Sequence, residues 1–184
     1  MTRKRQTQIE ALASKTLMHA QAYQLPVNLP KVAKSLDIDL IGFDFGDEIT
    51  GCMLRSDDGR VRIGYNDQLP TRTVGRFAIA HSMGHHVLEH FEYMARPEVS
   101  ANYYTIFGIS ALDHKSRSEM EQEREANAFA AALLMPADLV LVAIQKCANP
   151  ADYLRADLLL SVADRCQVSP QLMALRLSTL CALW

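Results

Sequence analysis

The chain is poor in cysteine and shows no cysteine cluster. Cys52, Cys147, Cys166 and Cys181 are scattered, with no C-x-x-C pair. Neither a zinc site built from thiolates nor a disulfide framework is suggested by that spacing. There is no surplus of either charge: 19 Lys and Arg face 21 Asp and Glu, a net charge of -2. A global attraction to nucleic acid or anionic lipid is thereby excluded. The basic run Arg3, Lys4 and Arg5 stands alone, and a solvated, frayed end is its expected state. No apolar stretch approaches the roughly 18 residues a membrane span requires. Met1 to Lys15 is polar and lacks the apolar core and cleavage site of a signal peptide. The expectation is a reduced, cytoplasmic protein with no membrane contact. At 184 residues, 49% hydrophobic and 22% charged, one globular domain with a substantial core is expected.

Gln6 to Tyr23 has helical composition, and Pro30 sits where a first-turn proline opens a short helix through Val32, Ala33 and Leu36. Three strand-like segments follow, at 38–45, 49–55 and 60–65. Gly46-Asp47 and Asp57-Asp58-Gly59 separate them, the second a strong hairpin signal. These segments predict a small antiparallel sheet. Thr71 to Leu88 reads as a helix with Phe77, Ala80, Gly84 and Leu88 on its buried stripe. Glu89 to Ser116 has weak periodicity and five aromatics (Phe91, Tyr93, Tyr103, Tyr104, Phe107), which suits a loop or lid. Ser118 to Met135 reads as a strong helix, with Ser118 and Glu121 as a capping box and Pro136 as its stop. Helices are predicted at about 137–146, 151–165 and 170–180, the last opened by Ser169-Pro170; the final two have helix-turn-helix spacing. The fold class is α+β: N-terminal helices over 1–36, sheet and metal-bearing helices over 37–136, and a helical part over 137–184.

Chemistry concentrates at His81-Ser-Met-Gly-His85. Two histidines four apart project from one helix face and can grip one zinc ion. In an H-E-x-x-H site the residue after the first histidine is the glutamate that takes a proton from the attacking water; here it is Ser82. Gly84 inside the helix costs about 1 kcal/mol relative to alanine, a cost that close approach of another backbone would explain. A third ligand must come from elsewhere, and the acidic stretch Glu119 to Glu125 offers candidates. Glu123 and Asn127 are four apart, so a glutamate ligand and an amide that accepts a ligand histidine's ring N–H could share one face. H-x-x-x-H pairs also arise by chance, and acidic runs are usually solvated helix faces.

The segment Arg72 to His85, followed by Glu123-Arg-Glu-Ala-Asn-Ala-Phe-Ala-Ala-Ala-Leu-Leu-Met-Pro136, resembles the ImmA/IrrE family of metallopeptidases. That family's pattern runs R-F-x-x-A-H-E-x-G-H, then E-x-x-A-N-x-F-A-x-x-L-L-M-P, and the chain departs from it only at Ser82. Ile63-Gly-Tyr-Asn66 resembles the strand leading into the family's active-site helix; Val162 to Ser169 and Arg176-Leu177 resemble its closing helix pair. The resemblance implies a zincin-like fold and a gluzincin site in which His81, His85 and Glu123 hold zinc and Asn127 orients a histidine. Glu125 is the alternative third ligand, and Glu121 a weaker one. Family members are typically cytosolic and cleave a helix-turn-helix (XRE-like) repressor, switching on stress, mobile-element or phage programmes.

Ser82 stands at the family's general-base position, and a hydroxyl is too short and too weakly basic for that work. Losing a positioned general base typically costs about 10²–10⁴-fold in rate, while zinc binding is expected to survive. Three accounts of the serine are open: an introduced substitution, a natural loss leaving a regulator that binds a repressor without cutting it, or replacement by another carboxylate, with Glu48 and Glu89 as candidates. A second register, His86-Val-Leu-Glu-His90, spells the inverted zincin motif with its glutamate intact. Its histidines point about 100° further round the helix, so His86 and His90 are expected at a helix-end surface. His19 and His114 carry no spacing signal and are expected at the surface. Of the residues in the last helix, only Arg176 is cationic; direct DNA binding is not expected, since duplex readers present several such groups.

Overall fold

The computed structural model describes residues 1–45, 50–55, 59–68, 72–90, 117–147 and 156–183. Helix α1 (Arg3–His19) begins three residues earlier than composition suggests, because Thr2 caps it by accepting a hydrogen bond from the Arg5 amide. The basic run expected to fray is therefore its first turn. Asn28 caps α2 (Leu29–Ser35) by accepting from the Lys31 amide, with Pro30 in the first turn as expected.

Asp37, at a φ of 56°, turns the chain from α2 into β1 (Ile38–Phe43). Strands β2 (Gly51–Arg55) and β3 (Val61–Asn66) pair antiparallel, the hairpin announced by the turn residues. The sheet as a whole is mixed, which corrects the antiparallel expectation. Its order is β1-β3-β2, with β1 parallel to β3. Alternating side chains decide which face of a strand is buried, but they do not name the neighbouring strand. Leu40, Ile63 and Met53 lie in one row across the three strands, and Ile63 and Met53 are wholly buried. The adjacent residues Ile41 and Leu54 are about half exposed on the opposite face.

Helix α3 (Arg72–Val87) packs between the sheet and α4 (Arg117–Leu134), and α1 covers the far side of α4. Every residue from Phe77 to His85 is buried, the expected state of a helix covered on all sides. Helix α4 starts at Arg117, so Ser118 lies within the first turn and does not cap it. Pro136 then separates α4 from α5 (Ala137–Cys147).

Helices α6 (Ala156–Cys166) and α7 (Pro170–Leu183) complete the fold. Ser169 caps α7 by accepting from the Leu172 amide at 3.1 Å. Arg176, the cation of that helix, is 2% exposed. Its Nε donates to the Met135 carbonyl at 3.0 Å and its two terminal nitrogens grip the Glu10 carboxylate. The guanidinium thus pins α7 to α1 and to the α4–α5 junction. The loop or lid expected over 89–116 lies outside the described residues beyond His90. No single helix among the described residues is long and apolar enough to cross a membrane.

Candidate metal centre

His81 and His85 lie one turn apart on α3, and both are 1% exposed. Their Nε2 atoms approach to 3.0 Å. Glu123 of α4, itself buried, brings Oε2 to 3.4 Å from His81 Nε2. The structure thus brings together the three residues expected to hold metal, with donor atoms all within 4.8 Å of one another. Asn127, one turn beyond Glu123, places Oδ1 2.8 Å from His81 Nδ1.

Gly84 is what lets the two helices come this close. A Cβ at that position would lie 3.0 Å from the Ala126 carbonyl oxygen and 3.1 Å from its Cα. The glycine expected to admit another backbone does so at Ala126, midway between Glu123 and Phe129.

Three donors of this kind fit zinc on two grounds. A metal bound at about 2.0–2.1 Å in tetrahedral geometry holds its donors about 3.3 Å apart, close to the 3.0 and 3.4 Å seen here. The amide oxygen of Asn127 can only accept, so His81 Nδ1 carries the hydrogen and Nε2 presents its lone pair to the cluster. A carboxylate and an imidazole lone pair directed at one buried point call for a cation.

The remaining candidates fall elsewhere. Ser82 is wholly buried, and its hydroxyl donates to the Ala78 carbonyl at 3.0 Å, the ordinary way for a buried helical serine to satisfy its proton. Glu125 faces away from Glu123, as a two-residue helical separation requires. Its carboxylate accepts from Arg5 Nε at 2.8 Å and Nη2 at 2.6 Å, and one of its oxygens lies 3.4 Å from His90 Nε2. The Arg5 guanidinium holds the Glu125 carboxyl below the usual carboxylate range, against the opposing effect of burial. Glu121 and His19 are exposed; Glu48 and His114 lie outside the described residues.

The inverted motif does not survive folding. Helix α3 ends at Val87, and Glu89 is exposed with a φ of 61°. His86, Glu89 and His90 therefore do not share a helix face. His90 also corrects its surface expectation: it is 6% exposed, with Nδ1 3.1 Å from His85 Nδ1. Two hydrogen bonds carry it there, from the His90 amide to the His85 carbonyl at 2.8 Å and from the Glu89 amide to the His86 carbonyl at 3.1 Å. Together with the left-handed Glu89 they form a Schellman turn, which folds the chain back along the helix end. Sequence reasoning ended the helix at Leu88 but did not foresee the left-handed turn, because Glu89 is a residue type with no strong preference for positive φ.

A cavity of about 850 Å³ opens between α2, β1, β3 and the start of α3, lined by Lys34, Asp37, Tyr65, Arg72 and Arg76 among others. None of the metal donors lines it.

A buried H-x-x-x-H helix faced by a glutamate from a second helix, beside a small sheet, is the plan of a zincin-like metallopeptidase. The chain belongs to the M78 peptidase family, described as the IrrE N-terminal-like domain, which matches residues 33–178. That family assignment supports a zinc metallopeptidase of the ImmA/IrrE type, in agreement with the His81, His85 and Glu123 cluster. Comparison with curated proteins gives no match.

Proposed function

We propose that this chain holds zinc through His81, His85 and Glu123 and acts in the cytoplasm on a helix-turn-helix repressor, with its peptidase activity crippled at Ser82. Zinc in such a site would act as a Lewis acid, polarising a peptide carbonyl and making a bound water acidic. Asn127 would hold the His81 ring in the tautomer that leaves Nε2 free for metal. What the chain lacks is a carboxylate beside the first histidine to accept and return a proton.

The observation that carries this reading is the state of Ser82. A buried hydroxyl already donating to Ala78 has no basicity to offer an attacking water. Glu89, the described alternative carboxylate, is exposed beyond the end of α3. The same observation favours a second reading: a zinc-containing regulator that sequesters its repressor without cutting it. Arg176 is engaged with Glu10 and Met135, so α7 does not present it to a phosphate backbone, and a protein partner is the better proposal than DNA.

The test is the variant Ser82→Glu, incubated with candidate repressors with and without chelator. Cleavage that rises about 10²–10⁴-fold, the usual contribution of a positioned general base, and vanishes with chelator supports the impaired-peptidase reading. Stable complexes without cleavage by either form favour the regulator. Equal zinc-dependent cleavage by both forms would show that Ser82 does not occupy the general-base position.

A further inference from the structure

We propose that His90, backed by Glu125 and Arg5, is a positioning residue that fixes the tautomer and direction with which His85 meets metal, and so couples the N-terminal helix to the metal centre. The proposal rests on the metal-site reading above and deepens it.

The geometry sets a direction of hydrogen-bond donation along the whole chain of contacts. Arg5 can only donate, and it grips Glu125 through both Nε and Nη2. The carboxylate so held is ionised and can only accept. His90 Nε2, 3.4 Å from Glu125 Oε2, is therefore the ring nitrogen that carries the hydrogen. In the neutral imidazole that leaves His90 Nδ1 as an acceptor, 3.1 Å from His85 Nδ1. His85 Nδ1 must then be the donor, and its Nε2 is left with a lone pair facing His81 Nε2 and Glu123. For His81 the same result comes from one amide, Asn127. For His85 it comes from a relay that starts 80 residues earlier in the chain.

The turn that delivers His90 places a polar pair where an apolar one is usual. In a Schellman turn the residue after the left-handed position commonly makes an apolar contact with the residue five before it. Here those two residues are His90 and His85, both buried. Burying an imidazole costs free energy unless its polar atoms are paired; an aliphatic residue at position 90 would close the turn without that cost, but would remove the ring nitrogen that faces His85 Nδ1.

The experiment measures zinc affinity of the full chain by competition with a chromophoric chelator, alongside urea unfolding of the metal-free form. His90→Leu removes the acceptor at similar bulk and should weaken zinc about 10–100-fold, the usual effect of losing a group that orients a ligand. His90→Asn puts an amide oxygen close to the place of the Nδ1 acceptor and should recover most of that loss. Arg5→Ala, distant from the donors, should weaken zinc by a smaller factor. His81→Ala is the control and should abolish binding. If it does not, the metal-site reading itself fails. If His81→Ala abolishes binding while His90→Leu binds like the parent, the site stands and the positioning role is overturned. Equal weakening by leucine and asparagine, in step with lost metal-free stability, would also overturn it, since packing alone would explain the result. Should His90→Leu not fold, Glu125→Ala reads the relay from its other end: weaker zinc binding supports it, and parent-like binding refutes it.

Discussion

Replacing Gly84 by alanine sets two magnitudes against each other. In an open helix the change would stabilise by about 1 kcal/mol, because glycine loses more backbone entropy than alanine. In α3 the new methyl would sit 3.0 Å from the Ala126 oxygen, 3.1 Å from Ala126 Cα and 3.3 Å from Phe129 Cδ1. Favourable carbon contacts lie at about 3.5–4.0 Å, so the methyl is too near by roughly half an ångström, and two of the three atoms are backbone. They can move only if α4 moves. Overpacking of this kind costs about 1–3 kcal/mol, so the net effect on metal-free stability should be a loss of about 0–2 kcal/mol. The larger consequence falls on the metal centre, since Glu123 and Asn127 flank Ala126 on the displaced helix. Zinc affinity should fall more than stability does. Urea unfolding of the metal-free protein and chelator competition would measure the two effects separately. A variant that is about 1 kcal/mol more stable than the parent and binds zinc equally well would refute the claim that this contact sets the helix spacing.

Other consequences are open to direct measurement. Arg176→Ala should destabilise by about 3 kcal/mol, the low end for breaking a buried ion pair, because the Glu10 side chain retains 19% exposure while that of Arg176 has 1%; denaturant midpoints would show it. Burial pushes the Cys166 thiol up to about 11 from an ordinary 9. Its folded form therefore keeps a proton that the unfolded chain releases, so stability is intact below pH 9 and is lost as pH rises toward 11. Cys166→Ala should flatten that decline in pH-dependent unfolding curves, and in the parent Cys181, which is exposed, should alkylate well before Cys166. Chelation should lower the melting temperature, since a ligand 100-fold above its Kd adds about 2.7 kcal/mol to the folded state; His81→Ala should melt alike with and without chelator.

Local chemistry by itself accounts for the spacing of His81 and His85, for the caps at Asn28-Pro30 and Ser169-Pro170, and for the β2–β3 hairpin. Each depends on residues within a turn or two of one another, where helical period and turn preference act directly. Glu123 and Asn127 could be named as a pair by their spacing, and the resemblance to a family assigned them roles. Only the approach of α4 across Gly84 puts them beside the histidines. The place of β1 followed no local rule, because alternation chooses a face and leaves the neighbour to packing. His90 escaped because its position depends on a left-handed Glu89 that residue type does not signal. Arg5 and Arg176 escaped for a different reason. Arg5 read as part of a solvated end and Arg176 as the lone cation of its helix; the partner of each comes from a distant segment, Glu125 in one case and Glu10 in the other, and for the buried Arg176 it offsets desolvation. A charge is buried when its counter-charge is delivered to it, and that delivery belongs to the folded chain.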